Sequence, residues 1–166
     1  MRRLILFRHA KAERSQPGEA DRARALVERG RKDAARMGAY MANHALAPDR
    51  VLVSPAVRTQ ETWKSASAAF RPAPGATTVD RLYEATEHSI LAAIKDVPAS
   101  AHTLLVIGHN PGLQELTVRL LLEGHAPSTL IHRAQHRFPT AAASVFLFDG
   151  EGRPNYDGLF YPERGG

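Results

Sequence analysis

Two histidines and two arginines stand where apolar runs give way to polar residues. Leu4-Ile5-Leu6-Phe7 runs into Arg8-His9, and Arg50-Val51-Leu52-Val53 runs into Ser54-Pro55 with Arg58 one turn further on. Thr103-Leu104-Leu105-Val106-Ile107 runs into Gly108-His109-Asn110-Pro111. One Arg-His pair alone marks no more than the place where a buried strand surfaces. Three such junctions in one α/β chain are more informative, because ligands of an open parallel sheet bind outside the carboxyl ends of its strands. Side chains at those ends share one crevice.

Everything these junctions aim at the crevice is a donor or a cation, so the ligand is expected to be an anion. The guanidinium fork of Arg8 or Arg58 matches the oxygens of a phosphoryl group, each charge-assisted bond contributing about 1.5–3 kcal/mol. Helix starts after Pro55 and after Pro111 add backbone donors and positive dipole ends. A transferring phosphoryl group, with charge spread over its outer oxygens, fits such a cradle. One of the two histidines can then attack phosphorus through a neutral imidazole nitrogen, and water hydrolyses the resulting phosphohistidine. The neighbouring arginines disfavour the imidazolium and keep that nitrogen free. The chain has no cysteine, which excludes thiolate nucleophiles, thiolate metal sites and disulfides.

Two other classes compete. A metal-dependent hydrolase would use His9 and His109 as ligands, but no carboxylate stands at ligand spacing beside either. A non-catalytic phosphoprotein- or anion-binding module would keep the cradle without turnover. A third reading keeps the chemistry and changes the substrate to a small phosphorylated metabolite.

The elements that must position these residues are legible in the pattern of the chain. The 166 residues suggest one domain, 1–166, with a frayed tail at about 162–166. Strands are expected at 4–7, 50–53, 78–82, 103–107, 144–148 and 156–161. Leu26, Gly30, Ala34, Met37 and Met41 fall at helical spacing and predict a helix near 28–45. Ser54 and Pro55 read as the N-cap and first residue of the next helix, with Ala56, Trp63, Ala66 and Phe70 facing inward. Ile90, Leu91 and Ile94 mark a third helix, and Leu113, Leu116, Leu120 and Leu121 a fourth. The stretch holding His132, Arg133, His136 and Arg137 reads as a solvated loop that could rim the crevice. Asp21 and Arg22 belong to a loop over the site or to the start of the first helix. His44, His88, His102 and His125 take no role. Strand-helix alternation predicts an α/β sandwich around a mostly parallel sheet.

The net charge is +5, with 43% hydrophobic and 23% charged residues. The arginines are scattered, and no segment interleaves them with aromatics, so no nucleic-acid partner is expected. No apolar run reaches the length of a membrane span and no secretory signal opens the chain, so no membrane partner is expected and the location is read as cytoplasmic.

The Arg8-His9 junction, the SPxxRxxxT stretch from Ser54 to Thr62 and the Gly108-His109-Asn110-Pro111 turn together resemble the histidine phosphatase superfamily. The FRHAKAE opening, LVERGRKDAARMG, RLYEA and FPTAAASVF resemble, more narrowly, its SixA-type phosphohistidine phosphatases. The resemblance runs from about residue 3 to about residue 149. It implies a three-layer α/β/α sandwich of the phosphoglycerate mutase-like kind, with one strand antiparallel. It implies that His9 is the nucleophile, that Arg8 and Arg58 clamp phosphate, and that His109 hydrogen-bonds the phosphoryl group and shuttles protons. No metal and no organic cofactor are implied. The substrate would be a phosphorylated protein of the histidine-phosphotransfer type or a small phosphorylated molecule, acted on by a monomer. Two departures stand out. Ala10 occupies a position where many members carry glycine, and the 70–101 segment is too short for the long insertion that brings an acidic general acid in larger branches. Glu84, after the third strand, is either a proton donor or a solvated loop carboxylate.

Overall fold

Alternation decides the architecture. In β1 (Arg3–Arg8) Ile5 and Phe7 point to one side of the sheet and Leu4 and Leu6 to the other, and all four are buried. A strand apolar on both faces must be covered on both faces. The structure, a computed structural model that describes residues 1–162, supplies a helical layer on each side. The expected fraying of the tail falls, for 163–166, outside the described residues.

The remaining elements are α1 (Glu28–Asn43), β2 (Arg50–Val53), α2 (Val57–Ser67), β3 (Ala76–Thr78), α3 (Glu87–Lys95) and β4 (Thr103–Gly108). They continue with α4 (Gly112–Glu123), α5 (Ser128–His136), β5 (Ala143–Phe148) and β6 (Pro154–Phe160). One sheet has the order β3-β2-β4-β1-β5-β6. β3, β2, β4 and β1 run parallel, while β5 pairs antiparallel with both neighbours and is the one reversed strand. Ala34, Met37 and Met41 of α1 and Ala66 of α2 cover the face that carries Ile5, Phe7, Leu105 and Ile107. Ile90 of α3, Leu113, Leu116 and Leu120 of α4 and Ala134 of α5 cover the face that carries Leu4, Leu6, Leu104 and Val106. The three-layer sandwich is thus written in period-two strands and period-3.6 helices. Gly38 lets α1 and α2 touch: a Cβ there would lie 2.2 Å from the Ala66 carbonyl oxygen.

Three expectations are corrected. The strand expected at 78–82 ends at Thr78, because the sheet's edge pairs only with Val51–Val53, and Asp80–Leu82 turns as a single 3-10 turn that buries Leu82. Ser54 is not the N-cap of α2. Its amide still bonds the Ile107 carbonyl at 3.1 Å as an extension of β2, and the helix starts at Val57 with Ala56 before it. The histidine-rich stretch is a helix, α5, rather than a loop. Only Ala134 within it is fully buried; Leu130, Ile131 and Ala134 do fall at helical spacing, but over only nine mostly polar residues.

Candidate active site

The register of three adjacent parallel strands sets the site. Arg8 lies opposite Gly108 and Val53 opposite Ile107, so the chain leaves β1, β4 and β2 at one level. His9 follows Arg8, His109 follows Gly108, and Ser54 follows Val53. The His9 amide bonds the Gly108 carbonyl at 3.1 Å, tying the two histidine-bearing ends together. The imidazoles stand with ring centroids 5.4 Å apart. His9 and His109 are 8% and 7% exposed and Arg58 is 5% exposed. The structure brings all four residues singled out in the sequence into this one place.

The hydrogen bonds of the two imidazoles differ. Nδ1 of His9 donates to the Ala10 carbonyl oxygen at 2.7 Å, since a carbonyl can only accept. That fixes the tautomer and leaves Nε2 with a lone pair. The Ala10 amide is itself held by Thr62 Oγ1 at 3.0 Å, and Thr62 donates back to the Arg58 carbonyl at 2.7 Å. Position 10 thus works as a backbone anchor, and its alanine methyl packs fully buried in the core. His109 has both nitrogens engaged. Arg58 Nη2 donates to Nδ1 at 3.3 Å, so the proton of the neutral ring sits on Nε2, 2.7 Å from Ser54 Oγ. Ser54, read in the sequence as a helix cap, is instead the partner of His109.

Burial is the largest influence on both rings. It pushes His9 down to about 3, with His109, Arg8 and Arg58 adding smaller repulsions and the bond to Ala10 opposing them. It pushes His109 down to about 4, with Arg58 the next cause. Both are therefore neutral at physiological pH. The arginines, taken from the sequence as the reason for a neutral imidazole, contribute less than the desolvation of the ring.

The arginines have donors to spare. Nη1 of Arg8 donates to the Phe138 carbonyl at 3.0 Å, while the Nε atoms of Arg8 and Arg58 are buried without a partner. Buried, unpaired guanidinium donors are costly unless an anion completes them. Burial, then the repulsion of Arg58, lowers the pKa of Arg8. Arg58 is held from behind by Asp21: Nη1 donates to the Asp21 carbonyl at 2.9 Å and Nη2 to its carboxylate at 3.1 Å. The Tyr83 hydroxyl makes a short bond to the same carboxylate, and Arg24 holds the other oxygen at 2.9 Å. The Tyr83 bond, with help from Arg24 and Arg58, holds the Asp21 carboxyl down at about 2. Tyr83 turns the edge of its ring to His109, with centroids 5.6 Å apart.

The expectation that only donors and cations line the crevice is therefore corrected. One carboxylate belongs to it, placed behind Arg58. Asp21, Tyr83 and Ser54 are the site residues whose part sequence reasoning missed. The sequence placed Asp21 in a loop over the site or at a helix start, and Ser54 and Tyr83 inside the SPxxRxxxT and RLYEA motifs, but gave none of the three a partner in the site. Glu84 is exposed, in a left-handed backbone conformation with φ 53°, and makes no contact that would bring it to the histidines. Among the described residues no group of three or more His, Cys, Asp or Glu side chains is arranged to hold a metal ion. No helix among them is long and apolar enough to cross a membrane.

Known proteins share this arrangement of chain. The family model for the histidine phosphatase superfamily, branch 1, matches residues 4–88. An uncharacterized protein of Mycobacterium tuberculosis is 32% identical over 144 residues, covering 87% of this chain and 88% of its own. The crystal structure of the Agrobacterium tumefaciens protein assigned as the phosphohistidine phosphatase SixA superposes with a TM-score of 0.85 at 28% identity, covering 97% of this chain and 98% of that one. Its counterpart from Nakamurella multipartitia gives a TM-score of 0.83 at 26% identity, covering 97% and 96%.

Proposed function

We propose, for a chain that belongs to the histidine phosphatase superfamily, branch 1, and resembles its SixA-type members, that it removes phosphoryl groups from protein phosphohistidine through a covalent intermediate on His9. One observation carries the reading: the Nε2 lone pair of His9 is free and fixed in orientation by the Ala10 carbonyl, within the electrostatic reach of the Arg8 and Arg58 guanidiniums. In the first step His9 Nε2 forms a bond to phosphorus as the substrate's P–N bond breaks, and the departing imidazole takes up a proton from solvent water, which the attacking water of the second step returns. In the second step water adds to the phosphorus of phospho-His9, the new P–N bond breaks, and phosphate leaves. Arg8 and Arg58 balance the charge on the phosphoryl oxygens in both transition states. His109, neutral and protonated on Nε2, exchanges its bond to Ser54 for one to a phosphoryl oxygen, or passes a proton through Ser54.

We read 1–166 as a single catalytic domain that acts as a monomer, its catalytic groups all drawn from this chain. An imidazole is a good leaving group once protonated, which fits a site with no carboxylic acid poised over the histidines. The 70–101 segment is too short to hold the long insertion of larger branches, which is expected to leave room for a residue carried on another protein. Incubation with a protein phosphorylated on histidine, followed by an acid-free quench and mass spectrometry, should find phosphate on His9 and release inorganic phosphate. Turnover of phosphorylated metabolites alone, with none on the phosphoprotein, would refute the substrate assignment while leaving the chemistry standing.

A further inference from the structure

The helix that the sequence hid, α5, carries a purpose the catalytic groups do not absorb. His132, Arg133 and His136 are exposed and share one side of the last turns of the helix, and exposed Arg137 follows as the extended residue that ends it. The opposite side is pinned down by the burial of Ala134 and by Gln114, whose side-chain amide donates to the Ala134 carbonyl at 2.8 Å. No Asp or Glu occurs in the chain between Glu123 and Asp149. Among the described residues no carboxylate pairs with Arg133 or Arg137. Their guanidinium groups instead lie 5.4 and 5.0 Å from the centroid of one ring, Tyr161, whose hydroxyl donates to the Arg137 carbonyl.

A basic residue in the last turn of a helix complements the helix dipole. That accounts for one cation, not for two arginines one turn apart, since like charges at this spacing repel. The position of the stripe accounts for the rest. The next residue, Phe138, accepts through its carbonyl from Arg8 Nη1 at 3.0 Å and from Asn110 Nδ2 at 2.9 Å, so α5 ends at the rim of the crevice. Across the crevice Arg22 lies 4.9 Å over the ring of Tyr83, which itself faces His109. Cations thus flank the phosphoryl site on two sides.

We infer that this rim docks an acidic protein surface surrounding the phosphorylated residue, with the α5 stripe and Arg22 as its two contacts. The inference rests on the reading that the substrate is a protein. A small phosphate ester would be satisfied by Arg8 and Arg58 and could not reach both sides of the rim. A nucleic acid would look for exposed aromatic faces on which to stack its bases, and the rings nearest the rim, Tyr83 and Tyr161, are already covered by arginines.

The test uses two proteins phosphorylated on histidine with phosphoramidate, one acidic and one basic, with free phosphohistidine as the small substrate. On the wild-type protein kcat/KM for the acidic protein should exceed that for the basic one by about tenfold or more at low ionic strength, and salt should erase the difference. The double variant R133E/R137E should lower the ratio of kcat/KM on the acidic protein to that on free phosphohistidine by about tenfold, and R22E should lower it by a smaller factor. Equal turnover of both proteins, or an unchanged ratio in the double variant, overturns the docking surface and leaves the substrate class intact. Turnover of free phosphohistidine with neither protein dephosphorylated overturns the substrate class instead. Inhibition by a single-stranded oligonucleotide that is lost in R133E/R137E, without any preference for the acidic protein, would assign the stripe to nucleic acid and also overturn the proposal.

Discussion

His9 and His109 are equally buried, follow neighbouring parallel strands and stand with rings 5.4 Å apart, yet their surroundings prepare them for different work. His9 has one nitrogen tied to the carbonyl of the next residue, a contact built entirely from local backbone. His109 has both nitrogens tied to side chains from α2 and the loop before it, Ser54 and Arg58. A free, oriented lone pair suits a nucleophile, while a ring held on both sides suits a group that donates and passes protons. The two rings have nearly the same exposure and different partners, and the two roles proposed for them follow from the partners.

Removing each ring should break this comparison most sharply. His9→Ala should abolish turnover, a loss of about 10,000-fold or more, because no other side chain at the end of β1 can attack phosphorus. His109→Ala should slow turnover by about 100- to 1,000-fold, since it removes a donor rather than the reacting atom. Phosphate should then accumulate on His9 if hydrolysis of the intermediate suffers more than its formation. Rapid quench with mass spectrometry measures both. A His9→Ala protein that still turns over, or phosphate trapped on Ser54, would reverse the assignment.

The half of the site built by strand ends was legible in the sequence, and the half built by loops was not. Arg8, His9 and His109 are attached to apolar runs whose period-two pattern fixes where the strands stop, so their convergence follows from sheet geometry. Arg58 follows from its distance beyond β2. Asp21 and Tyr83 lie 62 residues apart in sequence and meet only because the loop before α1 folds over the turn after β3. Ser54 was legible as a residue but not as a partner: Ser-Pro is a strong helix-start signal, and the tertiary pull of His109 and the β2 ladder outweighed it. The same competition explains β3, where pairing at a sheet edge ended earlier than the apolar pattern. In α5 the helical spacing of Leu130, Ile131 and Ala134 is present, but it spans only nine residues rich in His and Arg, a composition that also suits a loop.

Variants behind the two rings sharpen the contrast. Ser54→Ala removes one partner of His109 and none of His9. Losing a hydrogen bond of about 0.5–1.5 kcal/mol should slow turnover about three- to tenfold. Asp21→Asn keeps an acceptor for Tyr83 but loses the charge that holds Arg58. It should weaken inhibition by phosphate or vanadate about three- to tenfold while changing kcat less, with Asp21→Glu restoring part of the affinity. Equal losses in kcat and in oxyanion affinity would show that Asp21 does more than aim Arg58.

The smallest effect separates the rings by their protons. Burial lowers His9 to about 3 and His109 to about 4, each from an ordinary value of 6.5. Above pH 6.5 neither the folded nor the unfolded chain protonates these rings, so they add no pH dependence. As the pH falls below 6.5 the unfolded chain takes up a proton on each ring and the folded chain does not, so stability falls by about 1.4 kcal/mol per pH unit for each histidine. The loss from His109 ends near pH 4, where the folded ring also protonates, and that from His9 continues to near pH 3. Turnover itself should show no acid limb from His9 between pH 5 and 8, since its lone pair stays free throughout. Denaturant titrations from pH 7 to pH 3 on wild type, His9→Asn and His109→Asn test the linkage, the two variants cancelling the carboxylates they share. Each variant should be less acid-sensitive than wild type between pH 6.5 and 4. Between pH 4 and 3 the protein that keeps His9 should still lose stability faster than the one that keeps only His109. Identical slopes in all three proteins would mean that the rings are solvated in solution, and that the neutral, preset His9 on which the proposed chemistry depends is not held by burial.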